Sequence, residues 1–195
     1  MAEYNAAEAI AAAEQAEAVI AAKKAEKMDR AADGAREVLS EFDAAEQMEW
    51  LEMKMNSSTA DYLWVGGHYP VWAIGNDPPT GVEEDLRPLL NKWEAHYFNG
   101  HQHDLEHIVE DHSKVNYVST GAGKFCCYDD THLDTVPRNS IKFAMSGTKG
   151  EAWMPMPFDN ILSGFTSYRV GPESMEVYFH SDNGTVLYIT PPIRK

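Results

Sequence analysis

Two stretches of the chain repeat one pattern, in which a short apolar run is followed by glycine and then by histidine. The first stretch is Tyr62–His68, and the second is Tyr97–His103, which carries histidines at two alternate positions. Alternate residues of a strand face the same side, so the second stretch can direct both imidazoles to one point. Open α/β sheets bind ligands beyond the carboxyl ends of their strands. If the two strands are neighbours, His68, His101 and His103 would converge there.

Three imidazoles at one sheet edge indicate part of a nitrogen-rich metal site, because neutral imidazole is the commonest protein ligand for transition metals. Glycine beside them lets the backbone approach closely. The chain has eight histidines, however, and a close pair is also common without any metal. The alternative is that these histidines only cap the ends of strands.

The charge of the chain limits the partners that it can have. It carries 31 acidic and 16 basic residues, a net charge of −15 over 195 residues. Such a surface repels phosphate backbones, so we expect neither nucleic-acid nor anionic-membrane partners. No apolar run approaches the ~20 residues of a membrane span. The first residues lack the order typical of a signal peptide, and the sequence predicts no compartment.

Composition divides the chain into two parts. Residues 1–42 form an Ala/Glu-rich extension, with fifteen alanines among the first forty residues, which predicts a helix. This helix either binds a partner, for example in a coiled coil, or is isolated or weakly docked. Its larger apolar residues do not repeat with the heptad spacing of a coiled coil, which favours the second alternative. Residues 43–195 have the pattern of an α/β domain. In this part Cys126 and Cys127 are adjacent and cannot form a disulfide framework, so we expect packing residues or free thiols.

The second part predicts helices and short strands in alternation, then a β-rich end. Asn183-Gly184 between two alternating runs is a strong hairpin signal. Residues 124–140 and 150–160 are expected as irregular loops. The predicted helices are Phe42–Met55 and Glu83–Trp93, with Pro88 beginning the regular part of the latter, and the predicted strands are Tyr62–Val65, His96–Asn99, Glu106–Glu110, Val115–Thr120, Gly164–Val170, Met175–His180 and Thr185–Ile189.

Five motifs occur in the order and spacing of a known family: Trp64–Ile74, Leu86–Leu90, Gly100–His103, Ser119–Gly123 and Gly164-Phe165. In these motifs the chain resembles the small purple acid phosphatases of the tartrate-resistant type, within the calcineurin-like metallophosphoesterases. The resemblance covers residue 43 to the end and corresponds to the C-terminal portion of that family. It implies the C-terminal part of an α/β sandwich, with a mixed sheet and a β-rich end. The family packs two sheets face to face, and this chain is expected to supply mainly one.

The resemblance also implies a metal-dependent hydrolase of phosphate monoesters with a dinuclear centre, in which iron is paired with iron, zinc or manganese. By matching position, His68 and His101 would be ligands of the divalent metal. His103 would be a ligand of the second metal, which is ferric in this family. Asn99 and Asp104 would orient the imidazoles through hydrogen bonds. No matching position supplies a catalytic proton donor.

The chain departs from the family where the rest of the site should be. The family completes its site with an aspartate after the first strand, a bridging aspartate and an asparagine followed by histidine, and none of these motifs is present. Gln102 replaces the usual acidic residue, and the loop 75–81 lacks the family's histidines. A two-metal clamp is hard to build without a bridging carboxylate, whereas three imidazoles could hold one Zn²⁺.

These departures lead to two functional hypotheses. The first is an acid-phosphatase-like hydrolase that lacks the N-terminal half of its site, impaired or inactive as this chain alone. The second is a non-catalytic remnant that binds one metal ion, at most, or a partner protein. Apolar surface left uncovered by the missing half predicts self-association, or assembly with that half.

Overall fold

A computed structural model of the chain describes residues 44–75, 81–124, 126–145 and 163–195. The chain divides into two compact units, residues 1–49 and residues 50–195. The helical extension predicted over residues 1–42 and the loop predicted over residues 150–160 lie outside the described residues. Among the described residues, no helix is long and apolar enough to cross a membrane.

Two α-helices are described. Helix α1 is Ala44–Ser57, close to the helix predicted from the sequence, and its Met55 is buried. Helix α2 is Val82–Trp93, and it buries Leu86 and Leu90. The prediction that Pro88 begins the regular part of α2 is wrong, because the helix already starts after Gly81, which has φ 80°. Three acidic residues in the first turn favour that start through the helix dipole.

The first sheet has five strands in the order β1-β2-β4-β3-β5. The strands β1, β2 and β4 are parallel, and β3 runs antiparallel to its neighbours β4 and β5. The strands are β1 Trp64–Gly67, β2 His96–Asn99, β3 Leu105–Ile108, β4 Tyr117–Thr120 and β5 Ile141–Met145. Four of them were predicted to within a few residues, whereas β5 was not predicted.

The second sheet is antiparallel and comes from the β-rich end of the chain. Its strands are β6 Gly164–Val170, β7 Ser174–Ser181, β8 Val186–Ile189 and β9 Ile193–Arg194. Strand β7 is central, because it pairs with each of the other three. The predicted hairpin between β7 and β8 is confirmed, and Gly184 adopts φ 84° in its turn. Strand β9 has only two residues and was not predicted.

A shared core joins the two sheets face to face. Its buried members are Leu105, Val118, Ala122, Met145, Met175, Val177, Phe179 and Ile193. Cys126 and Cys127 pack against this core, as expected, and the structure joins them in a disulfide, so the alternative expectation of free thiols is wrong. The expected α/β sandwich with a mixed sheet and a β-rich end is confirmed. The expectation that the chain supplies mainly one sheet is wrong, since β6–β9 form a second sheet.

One side of the sandwich carries an edge strand of each sheet. Among the described residues, β1 pairs only with β2 and β6 pairs only with β7. The two edges are adjacent, because the ring of Tyr168 lies edge-on to Trp64 at 5.5 Å. Tyr168 and Phe98 are each 40% exposed on this side. We call the surface formed by Trp64, Phe98, Tyr168 and the two edge strands the open side.

Candidate metal-binding site

The parallel pairing of β1 and β2 places two of the predicted histidines at one sheet edge. Gly67, the last residue of β1, lies opposite Asn99, the last residue of β2. His68 follows the first strand directly, and His101 follows the second after one glycine. The condition on which the sequence prediction depended, that the two strands are neighbours, is therefore met.

The two imidazoles are in direct contact. Nε2 of His68 lies 3.2 Å from Nδ1 of His101, and the rings meet nearly at right angles. The ring of Tyr69 lies 4.5 Å from the His101 ring and supports it from one side. His101 itself has φ 60°, in the left-handed region, which turns the chain sharply after β2. We call His68 and His101 the histidine pair.

The spacing of the histidine pair fits a shared metal ion. Two nitrogen ligands of one tetrahedral Zn²⁺, each at ~2.0–2.1 Å, lie about 3.3 Å apart. The observed separation between the two nitrogens is 3.2 Å. The same separation fits a hydrogen bond in which one ring donates its N–H to the other. The separation alone therefore fits either a hydrogen bond between the two rings or two ligands of one metal ion.

His103 has a different environment. Its ring stacks on that of Tyr128, with centroids 4.8 Å apart and an interplanar angle of 11°. Across the described ranges, no three His, Cys, Asp or Glu side chains form a group that could hold a metal ion. The structure thus brings His68 and His101 together and places His103 against an aromatic ring.

The two residues expected to orient the imidazoles act on the surrounding backbone. The side-chain amide of Asn99 donates to the Gly100 carbonyl and to the Ser119 hydroxyl, each at 3.0 Å. These bonds hold the turn that leads into His101. The carboxylate of Asp104 accepts the backbone N–H of Tyr128 at 3.0 Å. It thereby fixes the residue on which His103 stacks.

Two glycines make the turn around these residues possible. A Cβ at Gly121 would lie 1.7 Å from the backbone oxygen of Gln102, so only glycine fits there. A Cβ at Gly67 would lie 1.9 Å from the Tyr97 hydroxyl. That hydroxyl donates to the Tyr69 carbonyl at 2.7 Å, which anchors the segment after His68. The glycines of the sequence motifs therefore have a steric function at this edge.

Comparison with known proteins agrees with the motifs. Human tartrate-resistant acid phosphatase type 5 is 32% identical over 149 residues, which is 75% of this chain and 42% of that protein. The mouse protein of the same name is 31% identical over the same length. The resemblance to the tartrate-resistant purple acid phosphatases is confirmed. The chain spans about two fifths of the length of these relatives.

More distant comparisons extend this result. Purple acid phosphatase 17 of Arabidopsis thaliana is 28% identical over 140 residues, covering 71% of this chain and 37% of that protein. No family model matches the chain. A solved structure described as GAP50, the anchor in the inner membrane complex of Plasmodium, has the same fold with a TM-score of 0.57. It is 19% identical, and the match covers 77% of this chain and 43% of that one.

A pair of buried carboxyl groups lies beside the site of this relative of the purple acid phosphatases, and sequence reasoning did not predict it. Asp104 and Glu106 are both fully buried, and Glu106 accepts a hydrogen bond from the Ser119 hydroxyl at 3.3 Å. Burial raises the pKa of both carboxyl groups, and the charge of Glu106 raises the pKa of Asp104 further. The pair therefore retains a proton at neutral pH. Their i, i+2 spacing in and before β3, which puts them on one face, was the available signal.

Proposed function

We propose that this chain carries the histidine part of the site of a metal-dependent hydrolase of phosphate monoesters. The observation that supports this most directly is the approach of His68 and His101, at the separation expected of two ligands on one metal. The sequence relatives, which are named acid phosphatases, support the same reaction class. Because the chain matches only part of their length, the activity is a proposal for this chain.

Each histidine has a defined task in this proposal. His68 would bind a divalent metal through Nε2, and His101 would bind the same ion through Nδ1. His103, whose ring stacks on Tyr128, would be a ligand of the second, ferric ion. Asn99 keeps the turn before His101 in place. When bound, such a metal pair neutralises the charge that develops on a phosphoryl group and lowers the pKa of a bound water.

The proposed reaction needs carboxylate ligands in addition to these histidines. A bridging carboxylate holds two such metals ~3.5–4 Å apart, and the motifs that provide it in the family are missing from this sequence. We propose that the open side packs against elements corresponding to the N-terminal half of the family fold, which would supply these carboxylates. The open side supports this, because two edge strands and exposed aromatic rings lie together there. Self-association of the chain is the competing use of the same surface.

A second candidate function is a non-catalytic protein that binds one metal ion. It is supported by the separation of the two nitrogens of the histidine pair, which fits the ligands of a single ion. Two imidazoles alone bind a divalent ion more weakly than the three or four ligands of typical protein sites. The histidine pair would then be a low-affinity site without turnover.

Metal content per purified chain distinguishes these functions. We would measure it by mass spectrometry for the wild type and for His101→Ala and His103→Ala, with His132→Ala as a control outside the site. About two metals per chain, with fewer in both site variants, supports a hydrolase whose carboxylate ligands have been supplied after all, and not by the family's N-terminal motifs. About one metal, lost in His101→Ala and kept in His103→Ala, supports the single-metal protein.

Activity is measured on the same samples with p-nitrophenyl phosphate, with and without added divalent metal. Turnover that disappears in His101→Ala and persists in His132→Ala supports the hydrolase. Wild-type protein that stays metal-free after incubation with Zn²⁺, Mn²⁺ and iron would overturn both functions.

A further inference from the structure

The disulfide between Cys126 and Cys127 directly precedes Tyr128, the residue on which His103 stacks. A disulfide stabilises a fold mainly by closing a long loop of the unfolded chain. This bond joins neighbours, so it closes only a small ring that contains a single peptide bond. Its effect is therefore local to the backbone at these two residues. Neither of the two proposed functions uses it.

The peptide unit that follows the disulfide holds a buried carboxyl group. Its N–H, on Tyr128, donates to Oδ1 of Asp104 at 3.0 Å, and Asp104 is fully buried. Because a peptide unit is planar, the direction of this N–H depends on the backbone angles of Cys127. The disulfide ring restricts those angles. It therefore also sets the direction of the hydrogen bond to Asp104.

The same tyrosine contacts His103 through its side chain. The two rings are stacked, with centroids 4.8 Å apart. His103 precedes Asp104 in the chain, so Tyr128 holds this segment twice, through its backbone N–H and through its ring. A change in the backbone at Cys127 would disturb both contacts together. The disulfide is thus connected to His103 by a short series of contacts.

The pair has the properties of a reversible redox site. Cys126 and Cys127 are the only cysteines of the sequence, so oxidation within one chain can restore only the original bond. Both side chains are half-buried against the core that the two sheets share, which leaves part of each accessible to a thiol.

Reduction by a dithiol is a balanced exchange. One thiolate of the dithiol attacks a sulfur of the pair, forms a mixed disulfide with it and releases the other cysteine as a thiolate. The second thiol of the dithiol then displaces the remaining cysteine. Two electrons and two protons pass to the pair, which becomes two thiols, and the dithiol becomes a disulfide.

We propose that Cys126 and Cys127 form a redox-active pair, and that its reduction by a dithiol moves Tyr128 and His103. In the disulfide form the ring holds the backbone of Cys127, and Tyr128 keeps both of its contacts. In the dithiol form this backbone can rotate, and the N–H of Tyr128 leaves Asp104 for part of the time. The movement of His103 needs no metal. Its consequence for an ion bound by His103 rests on the proposed function.

NMR of the metal-free full chain in its two redox forms tests the proposal. We would reduce the protein with dithiothreitol, and confirm the reaction on an aliquot by the mass of two added groups after alkylation with iodoacetamide. We expect the ring signals of His103 to shift on reduction and to return on oxidation. The amide of Tyr128 should exchange with solvent about tenfold faster in the reduced form, because it loses a hydrogen bond to a buried carboxyl group. The amide of Val118, inside β4, is the control and should not change.

Three results would overturn the proposal. They are a disulfide that dithiothreitol does not reduce in the folded protein, His103 signals that are the same in both redox forms, and exchange that rises equally at Tyr128 and Val118, which indicates a general loosening of the fold. Cys126→Ser cannot form the bond, and without reductant it should give the His103 signals of the reduced wild type. If circular dichroism shows that this variant is not folded, the wild type in its two redox forms decides alone.

Metal content separates this proposal from the proposed function. A chain that binds no metal and shows the His103 shift would refute the function and support the redox pair. A chain that binds metal and shows no shift would refute the redox pair and leave the function standing.

Discussion

His107 provides a quantitative test of a buried hydrogen-bond network, in which its Nε2 donates to Asn116 Oδ1 at 2.8 Å and its Nδ1 accepts from the Tyr188 hydroxyl at 3.1 Å. Its side chain is 1% exposed, and burial lowers its pKa to about 4 from the usual 6.5. The folded state therefore keeps His107 neutral, whereas the unfolded state takes up a proton as the pH falls below 6.5. The unfolded state binds more protons in this window, so the stability due to His107 is complete above pH 6.5 and is lost as the pH falls toward 4.

The size of the effect follows from the shift. One pKa unit corresponds to about 1.4 kcal/mol, so the contribution of His107 falls by about 2 kcal/mol between pH 7.5 and pH 5. In His107→Gln the amide nitrogen can donate to Asn116 and the amide oxygen can accept from Tyr188. The variant keeps the hydrogen bonds and has no proton to take up. We expect it to be less stable than the wild type at pH 7.5, by about 1 kcal/mol, and more stable at pH 5.

Urea unfolding of the wild type and of His107→Gln at pH 7.5 and pH 5 measures this change in relative stability. The quantity of interest is the difference in free energy of unfolding between variant and wild type, which should change by about 2 kcal/mol in favour of the variant on going to pH 5. Comparison within each pH removes the contributions of other titrating groups. His112→Gln, at an exposed position, is the control and should show no such change. A difference that stays constant within about 0.5 kcal/mol would refute the reasoning.

Three further predictions concern packing, charge and association. Glu106→Gln should stabilise the protein by about 1–3 kcal/mol at pH 8 and by less at pH 5. The pKa of Glu106 is raised in the folded state, so the wild type loses stability as the pH rises, and the variant does not. Equal gains in thermal melts at both pH values would contradict this. Gly121→Ala should lower the free energy of unfolding in urea by roughly 3 kcal/mol, because the added Cβ would lie 1.7 Å from the backbone oxygen of Gln102. Gly123→Ala is the control, because a Cβ there would have nothing within 4 Å, and it should cost less than about 0.5 kcal/mol. Val170→Lys, at a 62% exposed position of β6 on the open side, should reduce self-association in sedimentation experiments more than Val186→Lys in β8, the strand on the other side of β7. Equal effects would place the association elsewhere.

Local pattern was sufficient for much of this fold. Strand β2 was predicted with its observed bounds, because a short apolar run between a helix end and a glycine allows few alternatives. The hairpin of β7 and β8 followed from Asn183-Gly184 in the same way. Strand β5 could not be found so easily, since its residues do not alternate clearly between buried and exposed. Its pairing with β3 is a long-range contact that no local pattern encodes.

The site shows the same division. The approach of His68 and His101 followed from a rule about neighbouring parallel strands, and it needed no side-chain detail. The stacking of His103 on Tyr128 depends on an irregular segment whose path the sequence does not indicate. The buried carboxyl group of Glu106 also escaped prediction, because glutamate is almost always exposed unless it is paired. Tertiary surroundings decided both cases.

The histidine pair also has a consequence for how folding of this unit can be observed. Its two nitrogens meet only when β1 and β2 are paired in one register, and a shift by one residue would turn the side chains to opposite faces. The unfolded chain has no such preformed pair, so an ion that binds the pair as proposed would bind the folded state selectively. An ion at about one hundred times its dissociation constant would then stabilise the folded state by about 2.7 kcal/mol. The shift of the unfolding midpoint on adding metal would therefore report whether β1 and β2 are paired in the native register.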